Sequence, residues 1–467
     1  MKTGSYIINS PLEKFLSDAE KKSFDEEHRK RLNYNIGVYD RKLQEGKLRY
    51  SNLELARRRA ANLKYKALSK LDRTLVEFET NFEKNGGKVI WAPSEKEAQK
   101  EILNIIKKAD AKIIVKQKTM LSEELEINDL LQKNRREVYE TDLGEFIVQL
   151  AGEKPYHILT PAMHKSKEDV AKLFHEKYNL SMDSTPEDIA HFVRGVLREK
   201  FVRADVGITG CNFLIADPGA VALTENEGNG LMTLSFPKIH IAVVGIEKVI
   251  PTLEDLDLFW PLVATHGTGQ RMTAYNNIVF GPRKPGETDG PDEMYVILLD
   301  NRRTEVLKMK EQRRALSCIR CGACLNGCPV YRSIGGYSYG AVYTGPIGSV
   351  ISPFYLGFRD YNHLSHASSL CGKCTEGCPV KIPLHELLLY NRNESVKRGF
   401  VKWPWKIIMK GWNFVMLHRW TLDKTGAGLK NSFFKVFFNK YWGKRRTLPR
   451  IADKSFKQLW MEKYRNN

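Results

Sequence analysis

The chain begins with a helical pattern. Residues 1–85 read as an N-terminal helical region: Glu54 to Glu83 is rich in Ala, Leu, Arg and Lys, and Leu63, Leu68, Leu71, Leu75 and Phe78 recur mostly at three- to five-residue steps. The period then changes. Val89-Ile-Trp91 is a short apolar run, and Ser94 with Glu97 three residues on predicts a capped helix start, so Glu95–Lys108 reads as a helix. Ile113-Ile-Val115 reads as a strand, the segment around Glu123–Lys133 as a helix, and Glu137-Val-Tyr139 as a strand again. That alternation predicts a parallel sheet with helices on its faces. Helices near Glu168–Tyr178 and Pro186–Arg198 precede a second block of apolar runs: Val206 to Ile215, Ala220 to Thr224, His240 to Val244 and Met294 to Leu299. Residues 86–300 are therefore expected to form one α/β domain. Neither a complete G-x-G-x-x-G fingerprint nor a phosphate loop follows any of these strands, and Gly267-Thr-Gly269 lacks the third glycine. A nucleotide or flavin site has no support.

Composition changes this picture little. At 467 residues, 42% hydrophobic and 28% charged, the chain is expected to fold throughout, in about three units. No window approaches the 18 apolar residues of a membrane span. The stretch Met1 to Phe15 lacks the apolar core of a signal peptide, so a cytoplasmic location is expected. Charge is more telling. The formal net charge is +19, yet Val401 to Asn467 carries 16 Lys and Arg against Asp423, Asp453 and Glu462, a local +13, together with six of the eight Trp. Positive charge confined to one end gives no reason to expect nucleic acid. Residues 396–467 read as a basic aromatic tail suited to peripheral contact with an anionic membrane, to a partner, or to packing on its own core.

Cysteine changes the picture most. Seven of the eight Cys lie between Cys318 and Cys378, inside a unit read as 301–395. In a reducing compartment such a cluster indicates metal rather than disulfides. The first group, Cys318-Ile-Arg-Cys321-Gly-Ala-Cys324-Leu-Asn-Gly-Cys328-Pro329, is C-x2-C-x2-C-x3-C-P, the bacterial ferredoxin run. The second, Ser368-Ser-Leu-Cys371-Gly-Lys-Cys374-Thr-Glu-Gly-Cys378-Pro379, repeats it with Ser in the opening place. Because the Cys before Pro ligates the other cluster, one set is Cys318, Cys321, Cys324 and Cys378, and the other is Cys328, Cys371 and Cys374. Structural zinc, which favours separated CxxC pairs, fits poorly. For the incomplete set, Ser368 Oγ, a three-iron cluster and an open iron all stand as options, with His363 and His366 near in sequence.

Other candidates are weaker. Cys211 falls in the predicted strand Val206 to Ile215 and reads as a core residue. Glu225, in Thr224-Glu-Asn-Glu-Gly-Asn-Gly230 after a strand, could act as a carboxylate nucleophile of the CoA-transferase kind, or could simply be part of an acidic turn. His157, His164 and His266 read as structural histidines.

The segments Glu140-Thr-Asp-Leu-Gly-Glu145, Pro155-Tyr-His-Ile158, Pro161-Ala-Met-His164, Gly207-Ile-Thr-Gly-Cys-Asn212, Thr224–Asn229 and Gly290-Pro291, the two Cys motifs, and the terminal Leu448-Pro449, Ser455-Phe456 and Trp460 together carry a resemblance. From about residue 50 to its end the chain resembles the lactate utilization protein B family, iron–sulfur proteins of bacterial L-lactate oxidation. The resemblance implies an α/β domain of the ribose-5-phosphate isomerase and CoA-transferase type, N-terminal helices and a C-terminal α-helical ferredoxin-type domain with two 4Fe-4S clusters. It implies a second cluster with three Cys ligands. It also implies an electron-carrying, non-catalytic subunit working with two companion proteins; the acceptor is unidentified, and the basic tail suggests a quinone-linked one at the membrane. The competing expectation is a transferase or isomerase using Glu225, with accessory clusters.

Overall fold

A computed structural model describes residues 10–401, 403–418, 420–421, 426–442 and 447–464. Two compact units are present, one reaching Glu394 and one beginning at Ser395.

Four N-terminal helices come first: α1 (Pro11–Ser23), α2 (Glu26–Lys47), α3 (Leu53–Ser69) and α4 (Leu71–Lys84). The Ser10, Asp25 and Asn52 side chains each accept the third backbone N–H of α1, α2 and α3, which fixes where those helices start. The expected run from Glu54 to Glu83 is thus two helices, broken at Lys70.

The strands are β1 (Lys88–Ala92), β2 (Ile113–Lys116), β3 (Glu137–Glu140), β4 (Val206–Thr209), β5 (Phe213–Ile215), β6 (Ala220–Glu225), β7 (Ile239–Gly245), β8 (Val249–Ile250), β9 (Tyr275–Val279) and β10 (Glu293–Leu299). Six of them form the expected parallel sheet, ordered β1-β10-β7-β4-β2-β3. Both faces are covered, as continuous apolar strands require. Ile241 and Val243 of β7 pack with Ile102 and Ile106 of the helix Glu95–Lys108, while Ala242 and Val244 pack with Phe78 and Phe82 of α4. Gly207 lets β4 run close under the helix Asn229–Ser235: a Cβ there would lie 1.9 Å from the Thr233 carbonyl oxygen.

A second sheet, β8-β5-β6-β9, corrects the single strand expected over Val206 to Ile215. The chain leaves the parallel sheet after Thr209 and enters the second sheet at Phe213. Cys211 lies in the loop between them, only partly buried, rather than in a strand. The expected helix Glu123–Lys133 likewise divides, into Met120–Glu124 and Ile127–Lys133.

The cysteine-rich residues share one core with α2, α3 and the second sheet: Leu32, Ile36 and Ala60 pack in the same cluster as Phe213, Phe259, Leu325, Tyr331 and Cys324. Ion pairs reinforce the join. Arg303, fully buried, donates to Glu247 (2.9 Å) beyond β7 and to Glu124 (2.8 Å) beyond β2, and lies over the Tyr355 ring. Arg57 of α3 donates to the carbonyls of Glu376 and Cys378.

In the second unit the helices Trp403–Leu417, Ala427–Phe437, Asn439–Trp442 and Phe456–Tyr464 are described. The first, second and fourth contain no buried residue, and Trp403, Trp412, Phe433, Phe437, Phe456 and Trp460 are exposed. Among the described residues no helix is long and apolar enough to cross a membrane.

Candidate metal centres and the adjoining cleft

The first cysteine motif wraps around a cavity. Cys318 follows a 3-10 turn, Arg320 and Gly322 take left-handed dihedrals (φ +60° and +76°), and a short helix, Ala323–Asn326, carries Cys324. Cys318, Cys321, Cys324 and Cys378 line one small cavity with Ile158, Ile319, Leu325, Ile347 and Val380. The Arg320 amide donates to Cys318 Sγ (3.4 Å) and the Ile382 amide to Cys378 Sγ (3.3 Å). Burial raises the Cys321 and Cys324 thiols and pushes Cys378 up to about 11. Four thiols around one apolar cavity, unbridged by disulfides and met by backbone N–H groups, form a donor set that fits an iron–sulfur cluster. A bound metal would take these sulfurs as thiolates.

The second motif repeats the backbone. Leu370 and Gly372 are left-handed (φ +55° and +83°), and the helix Lys373–Glu376 carries Cys374. The Leu370 amide donates to Ser368 Oγ (3.1 Å), as the Arg320 amide does to Cys318 Sγ, so Ser368 occupies the place of Cys318. Burial first, then its neighbours Cys328 and Cys371, push the Cys374 thiol up to about 11. Cys328, Cys371 and Cys374 are thus brought together, with Cys371 exposed. His363 turns its Nδ1 to the Asp360 carbonyl and packs against Phe15, while His366 is exposed.

A cleft lies beside the first cavity, at the carboxyl ends of β2, β3, β4 and β7, where open α/β sheets place ligands. Its volume is about 380 Å³, and it is lined by Gln117 and Lys118, Asp142, Gly210 to Asn212, and Glu247 and Lys248 from those four strand ends. Arg320 and Ile158 line both the cleft and the cysteine cavity. Glu225 reaches the cleft from β6, but both its oxygens are engaged: the Gly230 and Leu231 amides donate at 2.6 and 2.8 Å, and Gln117 at 3.2 Å. Burial raises its pKa against those hydrogen bonds. Lys118 pairs with Asp142 (2.9 Å). Although burial alone would raise it, the Arg303 and Arg320 guanidiniums hold the Glu247 carboxyl down to about 2. Burial pushes the Cys211 thiol, which also lines the cleft, up to about 12.

The histidines fill structural positions. His157 Nδ1 accepts the Leu159 amide and its Nε2 faces Asn326 Oδ1, which joins the α/β domain to the first motif; burial pushes its pKa down to about 4. His164 pairs with Glu153, and His266 Nδ1 donates to the Leu262 carbonyl. Sequence reasoning overlooked Lys248, Arg320 and Lys118. The available signal was a charged residue directly after an apolar strand: Lys118 two residues beyond β2 and Lys248 three beyond β7.

Comparison with known proteins finds two matching families. Residues 75–299 match the LUD domain family and residues 314–382 the 4Fe-4S dicluster domain family. A solved structure of a DUF162 family protein from Deinococcus radiodurans covers 49% of this chain and 98% of its own, at 15% identity and a TM-score of 0.26, a likeness that carries no argument. The chain is 44% identical over 362 residues to lactate utilization protein B of Bacillus pumilus (77% of this chain, 76% of that protein). It is 44% identical over 361 residues to lactate utilization protein B of Bacillus subtilis (77% and 75%). At that identity over more than three quarters of its length, the chain belongs to the lactate utilization protein B family.

Proposed function

We propose that this chain is the iron–sulfur electron-transfer subunit of an assembly that oxidises L-lactate to pyruvate. Cys318, Cys321, Cys324 and Cys378 would hold one 4Fe-4S cluster, and Cys328, Cys371 and Cys374 a second, with Ser368 Oγ as its fourth ligand. Bound there, the clusters supply one-electron chemistry at low to moderate potential. The observation that carries the reading is the pairing of two like-folded cysteine motifs, one around a buried cavity beside the α/β cleft and one that brings a single sulfur, Cys371, to the surface. Anaerobically purified protein should contain about eight irons and as many acid-labile sulfides per chain. Stoichiometric zinc without sulfide would overturn it.

The α/β domain, read as the ribose-5-phosphate isomerase and CoA-transferase type, then serves to dock two companion subunits and to shape the cleft. The basic aromatic tail touches an anionic membrane near a quinone-linked acceptor; its exposed Trp and Phe side chains support this. Each Lys or Arg at such a surface contributes about 1 kcal/mol. Chain cut after Phe400 should no longer sediment with phosphatidylglycerol vesicles at low salt, and a full-length chain that never sediments would end the idea. A second reading, catalysis by Glu225, draws on its place in the cleft. Glu225→Gln should be mild under the electron-transfer reading and abolish lactate oxidation under the other.

A further inference from the structure

One cluster of buried charge belongs neither to the cysteine cavity nor to the cleft lining. Glu140 ends β3, Glu145 sits on the helix Leu143–Leu150 and Glu123 on the helix Met120–Glu124. One carboxylate oxygen from each lies within 4.8 Å of the others, and Glu140 and Glu145 are only 2% exposed. The cation among them is Lys116, fully buried at the end of β2. Its ammonium has three N–H groups, and nearby oxygens claim them all: Glu140 Oε1 at 2.7 Å, Ser122 Oγ at 2.7 Å and Glu123 Oε1 at 3.4 Å. Glu145 Oε2 is left at 3.9 Å, beyond a hydrogen bond. Three carboxylates around one ammonium leave two negative charges over, which is costly at such burial unless protons or cations answer them.

The oxygens left over belong to one cavity. Glu140 Oε2, Glu145 Oε2 and Asn128 Oδ1 are all buried without a hydrogen-bond partner, although Asn128 donates its Nδ2 to Glu140 Oε1 (2.7 Å). Glu123, Asn128, Glu140 and Glu145 line a cavity of about 270 Å³, whereas Lys116 does not. Lys154, which also lines it, pairs with the exposed Glu126 (3.5 Å). Burial and then the Glu140 carboxylate push the Glu145 pKa up, so a proton on Glu145 is the competing answer. It would remove one of the two excess charges and leave the other. The neutral Asn128 oxygen takes no proton; it needs a donor or a cation, and no donor meets it among the described residues. Three carboxylates and an amide oxygen, with no nitrogen or sulfur, are the donors that hard cations take. The cavity also has room for the waters such an ion keeps.

We infer that Glu123, Glu140 and Glu145, with Asn128 Oδ1, hold one hard divalent cation of the Mg²⁺ or Ca²⁺ class beside Lys116. Its two charges balance the cluster. The ion ties the two short helices Met120–Glu124 and Ile127–Lys133 to β3 and to the helix Leu143–Leu150. Glu124, next to Glu123, accepts from Arg303 (2.8 Å) and from Tyr343 (2.6 Å), so the ion also braces the helix that meets the cysteine-rich residues. The site stands independently of the electron-transfer reading.

The test uses anaerobic holoprotein, freed of loose cations on a chelating resin and dialysed against Mg²⁺, Ca²⁺ or Mn²⁺ as separate probes. K⁺ at matched ionic strength is the control. One divalent ion should bind per chain and raise the unfolding midpoint by several degrees, as a ligand of the folded state alone must. Glu145→Gln should weaken that binding at least tenfold and erase the rise. Without the cation it should be no less stable than wild type, since it buries one carboxylate fewer. Where Glu145→Gln does not accumulate, Glu123→Gln, whose side chain is 17% exposed, replaces it. Iron and sulfide content should match wild type in both variants, which separates loss of the ion from loss of clusters. No divalent ion bound to wild type, or binding that both variants leave unchanged, overturns the inference and assigns the excess charge to protons. A rise in midpoint that K⁺ reproduces is screening, and overturns it too.

Discussion

In the first cysteine motif Cys321, Cys324 and Cys328 are all buried, and the residues between them pack into the main core. In the second, Cys371 is exposed, Lys373 and Glu376 are exposed, and only Cys374 and Cys378 point inward. Yet the backbones agree closely: Arg320 and Leu370, then Gly322 and Gly372, take the same left-handed turns before matching four-residue helices. Spacing therefore dictates the loop, and surroundings dictate everything else. The residue in the opening place is free to vary as well, since Ser368 keeps the local hydrogen bond that Cys318 makes.

The largest effect should come from removing one sulfur on each side. Cys324→Ala opens a hole among buried thiols and should cost fold stability as well as about four irons, whereas Cys371→Ala, at an exposed sulfur, should lose about four irons and leave the fold intact. Both should stop lactate-dependent growth and spare growth on glucose, because carriers in series fail at the first gap. Iron analysis and thermal unfolding of the two purified proteins check the asymmetry. If both unfold alike, burial does not distinguish the motifs.

Air should discriminate next. Reactivity follows solvent access, so the centre at Cys371 should bleach first and the one at Cys321 only later, seen as two phases in the visible spectrum or in iron release. Cys321→Ala should delete the slow phase alone. A single phase would break the contrast.

A smaller change should follow at Ser368. Ser368→Ala should alter the EPR signature of one centre only, and Ser368→Cys should make the two centres nearly alike. Identical spectra for wild type and Ser368→Ala would remove Ser368 from the ligand set.

Much of this was legible in the chain. The cap Ser94 and the face Ala98, Ile102, Ile105 and Ile106 define Glu95–Lys108 at both ends, because local signals and core packing agree there. The cysteine spacing identified the two motifs outright. What escaped was non-local. The run Val206 to Ile215 is apolar throughout, so nothing in its periodicity marks the crossing from one sheet to the other at Gly210–Asn212. Strand β8, two residues long, exists only because β5 runs parallel beside it. Lys248, Arg320 and Glu247 are up to 73 residues apart in sequence, and their charges mean little until the fold brings them to one cleft.

The smallest expected effect tests the crossover itself. Cys378 belongs by sequence to the exposed motif but lines the buried cavity, and Arg57 holds its carbonyl with two N–H groups (3.1 and 2.9 Å) and the Glu376 carbonyl with one (2.6 Å). The Glu376 carbonyl ends a four-residue helix too short to satisfy it, while the Cys378 carbonyl, two residues beyond, also accepts the Lys381 amide (3.1 Å). Arg57→Ala should leave both centres assembled but lower stability by about 2 kcal/mol, the scale of hydrogen bonds from a charged donor. Arg57→Lys should recover only part of that, since one ammonium cannot reproduce the fork. The slow phase of air bleaching should quicken while the fast phase holds, because the loosened sulfur serves the buried set. Quickening of the fast phase instead would return Cys378 to the exposed set and dissolve the crossed arrangement on which the comparison rests.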